Sequence, residues 1–114
     1  MKYEQLNGIK KALADGSSLI GHVDLIPMSL VRKFGEPSWS GNGKSSGEYI
    51  FRSTNNNDIV IVLYEWKWTK YYEEDNPYTV QQFWKHCYPI KFNVAGFKKS
   101  HLIDFEQWIK RAVK

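Results

Sequence analysis

The segment Ile59–Tyr72, with the sequence IVIVLYEWKWTKYY, constrains the fold more than any other part of this chain. It begins as an unbroken aliphatic run and continues as aromatic residues that alternate with charged ones. Because the side chains of a strand alternate between its two faces, one face carries Val60, Val62, Tyr64, Trp66 and Trp68, and the other carries Ile59, Ile61, Leu63, Glu65 and Lys67. The first half is apolar on both faces, which is typical of a strand covered on both sides. We therefore expect this strand to cross the core and to leave it at about Tyr64.

Three further segments carry strand patterns. Glu48–Ser53 alternates around its aromatic residues and is joined to Asp58–Thr69 by an asparagine-rich turn, which predicts an antiparallel hairpin. Ile90–Val94 alternates apolar with polar residues and predicts another strand, which Gly96 ends. Leu19–Leu25 alternates weakly and is predicted as a short strand or an extended entry.

Apolar periodicity and end signals predict four helices. They are Tyr3–Ala14, which Asp15 and Gly16 end; a short helix that begins at Pro27 and is stopped by Gly35 and Pro37; a short helix capped by Thr79; and a C-terminal helix capped by Ser100. The apolar face of the C-terminal helix carries Leu102, Phe105, Ile109 and Ala112, flanked by Trp108.

The order of these elements predicts an α+β fold, in which helices pack mainly on one face of an antiparallel sheet of three to four strands. The length of 114 residues indicates one domain, residues 1–114, that buries roughly two thirds of the surface exposed by its unfolded chain. The residues expected to be buried are Leu6, Leu30, Phe34, Phe51, Ile61, Val62, Phe92, Leu102, Phe105 and Ile109.

Composition narrows the class of partner. The net charge of +4 is mildly basic, and the charges are well mixed along the chain, whereas a duplex-DNA binder shows a denser basic stripe. The longest uninterrupted apolar run, Ile59–Tyr64, is far too short to span a membrane. The first residues lack the apolar core of a signal peptide. We therefore expect a cytoplasmic protein that does not associate with a membrane.

The residues that most often serve as metal ligands or nucleophiles are scattered. His22, His86 and His101 are far apart in sequence, and a zinc site that combines them with Asp24 is not expected. Cys87 is the single cysteine, which excludes an intramolecular disulfide, and we expect it to be a small buried apolar residue rather than a nucleophile.

Two other patterns suggest chemistry. Glu48 and Glu65 are either a carboxylate pair of the glycosidase kind or, with more weight, outward charges that pair with Lys67 or Arg52 across the sheet. The loop Gly41–Gly47 lacks the spacing of a phosphate-binding P-loop and is read as a flexible connection before a strand. Because no coherent catalytic or metal-binding set emerges, we predict that the protein is not an enzyme and uses no cofactor or metal.

The aromatic end of the long strand has two interpretations. Either its tryptophans cover the margin of the core beneath the helices, or they form the rim of a binding surface. In the second case the protein is a small inhibitor or immunity-type factor that binds a larger protein stoichiometrically through Trp39, Lys44, Trp66, Trp68, Tyr71 and Tyr72. One alternative is a binder of a small anion such as a nucleotide, held by Lys44, Arg52, Tyr64 and Lys67. A second alternative is a nucleic-acid binder that uses the basic C-terminal residues Lys98, Lys99, Lys110, Arg111 and Lys114.

The chain also resembles a group of small uncharacterised bacterial and phage proteins. Their pattern is a helix ending in Phe-Gly-x-Pro and a glycine-rich loop with a lysine before Glu-Tyr/Trp-x-Phe. A strand reading Tyr-Asp/Glu-Trp/Tyr-Lys follows, and a His/Asn-Ile/Val-Gly/Ala-Gly segment precedes the last helix. The matching residues are Phe34, Gly35, Pro37, Lys44, Glu48, Phe51, Tyr64, Glu65, Trp66, Lys67, Asn93 and Gly96. The chain departs from the pattern at Ala95, where a glycine is usual. The resemblance implies a phage or mobile-element setting, in which small domains commonly inhibit, mimic or neutralise a larger protein.

Overall fold

The aliphatic first half of the segment Ile59–Tyr72 forms the central strand of an antiparallel sheet. The structure is a computed structural model that describes residues 2–39 and 44–114. Within these residues, five strands lie in the order β1-β3-β4-β5-β2. They are β1 (Tyr3–Leu6), β2 (Ser18–Leu25), β3 (Glu48–Ser53), β4 (Val60–Tyr64) and β5 (Ile90–Gly96). The α+β class is confirmed, but the predicted number of three to four strands is too low.

The predicted hairpin is present as β3 and β4, which pair from Glu48 opposite Tyr64 to Arg52 opposite Val60. The predicted second strand of the hairpin, Asp58–Thr69, is too long, because regular pairing ends at Tyr64. Beyond this point the backbone turns, and Lys67 adopts a left-handed conformation with a φ of 64°. The strand thus leaves the core at the predicted residue.

The extra strand lies where the sequence predicts the first half of a helix, Tyr3–Ala14. Tyr3 and Leu6 are both buried, and they lie on opposite faces of the sheet because they are three residues apart in a strand whose side chains alternate between the faces. The ring of Tyr3 packs against Phe105 at 5.3 Å between centroids. Gly8 has a φ of 62°, which favours glycine and separates the strand from a 3₁₀ helix at Gly8–Ala14. Only the second half of the prediction is therefore helical.

The other predicted helices are present. They are α1 (Pro27–Phe34), α2 (Val80–Trp84) and α3 (His101–Ala112). Thr79 caps α2 as predicted, through a capping box with Gln82. Ser100 occupies the cap position of α3 without a side-chain hydrogen bond. None of the helices in the described part of the chain is long and apolar enough to cross a membrane.

The two faces of the sheet have different covers. The larger cluster lies on the face covered by α1, α2 and α3, and it includes Leu30, Phe51, Ile61, Phe92, Phe105 and Ile109. The smaller cluster lies on the opposite face, near the 3₁₀ helix, and it consists of Leu6, Ala14, Ile50, Val60, Val62 and Ala95, with Tyr64 packed against it. The predicted alternation of Ile59–Tyr64 between two faces is thus confirmed. Eight of the ten predicted buried residues are buried, and Phe34 and Leu102 are partly buried.

Two predictions about single side chains are wrong. Cys87 is exposed, because it lies in the irregular segment between α2 and β5, outside both clusters. Glu65 does not point outward as a charge for Lys67 or Arg52; it is fully buried. Arg52 pairs instead with Glu4 of β1, at 2.9 Å between Nη2 and Oε1.

Candidate binding surface and adjoining groove

The buried carboxylate of Glu65 organises the region where β4 ends. It accepts a hydrogen bond from the backbone N–H of Ser46, and its Oε2 accepts another from the N–H of Trp68 at 3.0 Å. Ser46 in turn accepts a hydrogen bond at its Oγ from the indole N–H of Trp84 on α2. One side chain therefore ties the loop before β3 to the turn after β4, and ties both to the helical face of the sheet.

Gly47 has no side chain, which lets the same loop pack closely against Pro37 and against Trp84 of α2. A Cβ at this position would lie 2.8 Å from Pro37 and 3.0 Å from the ring of Trp84. Both neighbours are rigid, so a larger residue would push the loop outward. The close packing fixes the backbone that leads from Lys44 to Glu48.

Two lysines lie over one tryptophan on the surface that these contacts support. The Nζ atoms of Lys44 and Lys67 are each 5.6 Å from the ring centroid of Trp66. The backbone N–H of Lys67 donates to the carbonyl oxygen of Lys44 at 2.9 Å, which keeps the two residues side by side. The ammonium of Lys67 also lies 5.2 Å from the ring of Tyr72. These distances are those of cation–π contacts.

A second aromatic contact joins the segment before β3, which carries Trp39, to the segment after β4, which carries Tyr71. The ring of Trp39 meets that of Tyr71 edge-on, with 4.5 Å between centroids. Trp39 is 59% exposed, so most of its indole remains open to solvent. Trp68 is 37% exposed, and its indole N–H donates to the carbonyl oxygen of Lys91 at 3.3 Å. Within residues 2–39 and 44–114, neither Trp66 nor Trp68 belongs to the two hydrophobic clusters.

The segment after β4 is irregular but well bonded. The side-chain amide of Asn76 donates to the carbonyl oxygens of Lys67 and Thr69, at 2.9 and 2.8 Å. The backbone N–H of Lys70 donates to Tyr78 at 2.7 Å. These bonds hold in place the turn that carries Tyr71 and Tyr72. We call the set Trp39, Lys44, Trp66, Lys67, Trp68, Tyr71 and Tyr72 the aromatic surface.

A groove adjoins the aromatic surface on the less covered face of the sheet. Its volume is about 490 Å³, which is within the range of small-molecule sites. Ile50, Val62 and Ala95 form the apolar part of its floor, and Glu48 and Tyr64, which are direct cross-strand neighbours, form the polar part. One wall is the 3₁₀ helix and the turn that follows it, and Trp39 and Trp66 lie on the other side.

Glu48 is the carboxylate of this groove. Burial is the largest influence and raises its pKa above the ordinary value of 4.5, while the nearby ammonium of Lys11 lowers it by a smaller amount. The backbone of Glu48 exchanges two hydrogen bonds of 2.9 Å with Ser38, which places Trp39 at the rim. Glu48 lines the groove and Glu65 is enclosed by backbone amides, so the two carboxylates do not form a pair.

The structure brings together part of each predicted set, the partner surface and the anion site. Trp39 contacts Tyr71, and Lys67 links Trp66 to Tyr72. In the anion set, Lys44 and Lys67 are close to Trp66, and Tyr64 meets Trp66 edge-on at 5.7 Å. Arg52 is separate, because it lies at the opposite end of β3 and pairs with Glu4. Gly41 to Gly43 of the predicted loop lie outside the described residues.

The histidines do not converge with other ligands. His22 and Asp24 alternate with buried residues of β2, opposite Asn93 and Lys91 of β5. Among the described residues, no group of three histidine, cysteine or carboxylate side chains has the geometry to hold a metal ion.

Sequence reasoning missed the organising role of Glu65 and the groove around Glu48. Both are acidic residues in a strand pattern, and their charge alone does not distinguish the enclosed one. The only available signal was the position of Glu65 directly after a run that is apolar on both faces.

A comparison of the chain with protein-family models gives no match, and a comparison with the curated proteins gives none either.

Proposed function

We propose that this protein acts by binding, without catalysis, and that it is a stoichiometric inhibitor or immunity-type factor for a larger protein. The observation that carries the proposal is the aromatic surface, in which exposed indole and phenol rings stand on a backbone held by Glu65 and Asn76. Tryptophan and tyrosine supply much of the binding energy at protein interfaces, because each offers a large apolar area and a polar atom.

The rigidity of the surface supports this proposal. Side chains that become ordered only on binding lose conformational entropy, roughly 0.5–1.5 kcal/mol for each one immobilised. Trp68 is held by its hydrogen bond to Lys91, and Trp66 by its lysine neighbours. A partner that contacts these rings meets them already in position.

The charges near the surface favour a protein over nucleic acid. Lys44 and Lys67 lie against Trp66, but Glu73, Glu74 and Asp75 follow directly on the same turn and are exposed. Three carboxylates would repel the phosphates of a strand that stacks its bases on the adjacent rings. A protein partner accommodates both signs of charge by presenting complementary groups.

The proposal is tested by recovering the partner and comparing variants. The tagged protein, expressed in its natural host, is isolated, and intact complexes are measured by native mass spectrometry. We expect a protein partner in a fixed ratio. Its affinity, measured by calorimetry, should weaken at least about tenfold in the double variant Trp68→Ala/Tyr72→Ala. Tyr88→Ala is the control, since Tyr88 is 71% exposed and lies outside the aromatic surface.

Three results would contradict the proposal. A co-purified nucleotide or other small anion would favour the anion-binding alternative. Nucleic acid whose release depends steeply on salt would favour a role for the basic C-terminal residues. A protein partner that binds the double variant and Tyr88→Ala equally well would show that a different surface is used.

A further inference from the structure

The groove on the second face contains polar side-chain groups that have no hydrogen-bond partner among the residues that the structure describes. Among residues 2–39 and 44–114, none donates a hydrogen bond to the carboxylate of Glu48 or bonds the hydroxyl of Tyr64. These two groups are cross-strand neighbours and face the same space. The side chains of Asp15, Ser17 and Ser18 line the opposite wall. Donors and acceptors therefore converge on the groove from two directions.

The charge of the groove is nearly balanced. Lys11 contributes a positive charge, and Asp15 and Glu48 contribute negative ones. Lys44 and Lys67 lie against Trp66 at the edge rather than among the lining residues. A phosphate-bearing ligand would meet two carboxylates and one ammonium, which disfavours it. The balance suits an uncharged ligand that offers many hydroxyl groups.

The aromatic side of the groove offers apolar ring faces, which complement the polar groups of the floor. The indole of Trp39 is largely exposed, and Trp66 meets Tyr64 edge-on, so flat apolar faces adjoin the polar floor. A pyranose ring has the same two characters, with C–H groups on one face and hydroxyl groups around its edge. Its C–H groups carry a small positive partial charge, and the face of an aromatic ring is negative, so the two attract each other.

We infer that the groove between the 3₁₀ helix and Trp39 is a site for a neutral carbohydrate, a mono- or disaccharide that stacks on Trp39 and hydrogen-bonds to Glu48 and Tyr64. Glu48 accepts from the sugar hydroxyls, and the serine hydroxyls of the opposite wall donate to or accept from the far edge of the ring. The groove shares Trp39 and Trp66 with the aromatic surface, whereas Trp68 and Tyr72 do not line it.

Saturation-transfer NMR with maltose, cellobiose and N,N′-diacetylchitobiose tests the inference, with adenosine monophosphate and inorganic phosphate as charged comparison compounds. We expect at least one disaccharide to bind with a Kd in the range of about 1 mM or below and to show the strongest transfer at its ring C–H protons. Trp39→Ala and Glu48→Gln should each weaken binding by about tenfold. Both residues border solvent or the groove, so these variants should fold, which is checked by their amide spectra.

Tyr64→Phe and Trp68→Ala separate this site from the aromatic surface. Tyr64→Phe removes only a hydroxyl that lines the groove and should weaken the sugar several-fold, by roughly the value of one hydrogen bond. Trp68→Ala should leave sugar binding unchanged, whether or not it affects a protein partner. The inference is wrong if none of the three disaccharides gives a saturable signal, if the phosphate compounds bind instead, or if Trp39→Ala binds the sugar as tightly as the native protein.

Discussion

Replacing Glu65 with glutamine probes the contact on which the aromatic surface depends. In the native chain this fully buried carboxylate accepts from the backbone amides of Ser46 and Trp68. A hydrogen bond to a charged group contributes about 1.5–3 kcal/mol to stability. Glutamine keeps one acceptor oxygen, but its amide nitrogen then faces the N–H of the other loop. At least one charge-assisted bond is lost, and a buried donor is left without an acceptor.

We expect Glu65→Gln to lower the free energy of unfolding by about 2–3 kcal/mol. This value corresponds to the loss of one charge-assisted hydrogen bond. The loss is partly offset because a neutral amide is less costly to bury than a carboxylate. Glu65→Ala leaves both amides without acceptors and opens a cavity, so we expect a loss of about 3–5 kcal/mol. A domain of this size is stable by about 5–15 kcal/mol, so Glu65→Gln should remain folded.

Urea unfolding followed by circular dichroism measures the global change. Hydrogen exchange at the amides of Ser46 and Trp68 measures the local one, and both should exchange faster than the global loss of stability requires. Glu106→Gln is the matched control, because it removes the same charge from an exposed pair with Lys110 at 3.1 Å. Such i,i+4 pairs contribute only about 0.3–0.5 kcal/mol.

A Glu65→Gln variant that is no less stable than Glu106→Gln would contradict this expectation. Native protection of the Ser46 and Trp68 amides in Glu65→Gln would contradict it as well. Either result would mean that Glu65 is enclosed without holding the two loops together, and the rigidity assigned to the aromatic surface would need another cause.

Three further predictions follow from individual side chains. Phe105→Ala should lower the free energy of unfolding, measured with urea, by about 3–5 kcal/mol, because Phe105 is a fully buried residue of α3 that faces the sheet. A decrease of only about 1 kcal/mol would contradict its central position in the core. Because the pKa of Glu48 is raised, the folded state holds the carboxyl proton more tightly than the unfolded chain, so protonated Glu48 stabilises the fold most below pH 4.5 and this stabilisation is lost as the pH rises through the raised pKa. Glu48→Gln should therefore flatten the dependence of the free energy of unfolding on pH in that window. A carbon-13 titration in which Glu48 has a midpoint at or below 4.5 would contradict this prediction. Lys67→Gly should change the free energy of unfolding by no more than about 1 kcal/mol, because the left-handed φ of 64° at this position suits glycine. The same variant should bind the protein partner more weakly in calorimetry, and an unchanged affinity would exclude Lys67 from the interface.

The regular part of the fold was predictable because its signals are local. The alternation in Ile59–Tyr64 assigned each side chain to a face, and the Thr79 cap and the glycine and proline stop of α1 marked helix boundaries within the sequence itself. Tyr3–Leu6 was mispredicted because four residues before a helical pattern carry little period information. Their strand conformation is fixed by pairing with β3, whose residues are far away in the chain.

The candidate site was predictable in its residue types and not in its support. Aromatic residues interleaved with lysines can be read from the sequence, and that they form a binding surface stays a prediction. The enclosed state of Glu65 cannot be read in the same way, because its charge favours an outward position and its burial is compensated by the amide of Ser46 in another loop. The contact between Trp39 and Tyr71 likewise depends on how two irregular segments meet.

The end of β4 explains why the aromatic surface and the groove occur side by side. Where a strand stops pairing, its neighbours' backbone amides lose their ladder partners and must be satisfied in another way. Here the carboxylate of Glu65 accepts from two of them, the amides of Ser46 and Trp68, beside the turn at Lys67. Trp66 lies between the two bonded points, with the groove on one side and Lys44 and Lys67 on the other. Because one buried group supports the backbone beside both features, substitutions at Glu65 would disturb them together. Their functions are separated by residues that belong to one feature alone, Tyr64 in the groove and Trp68 in the aromatic surface.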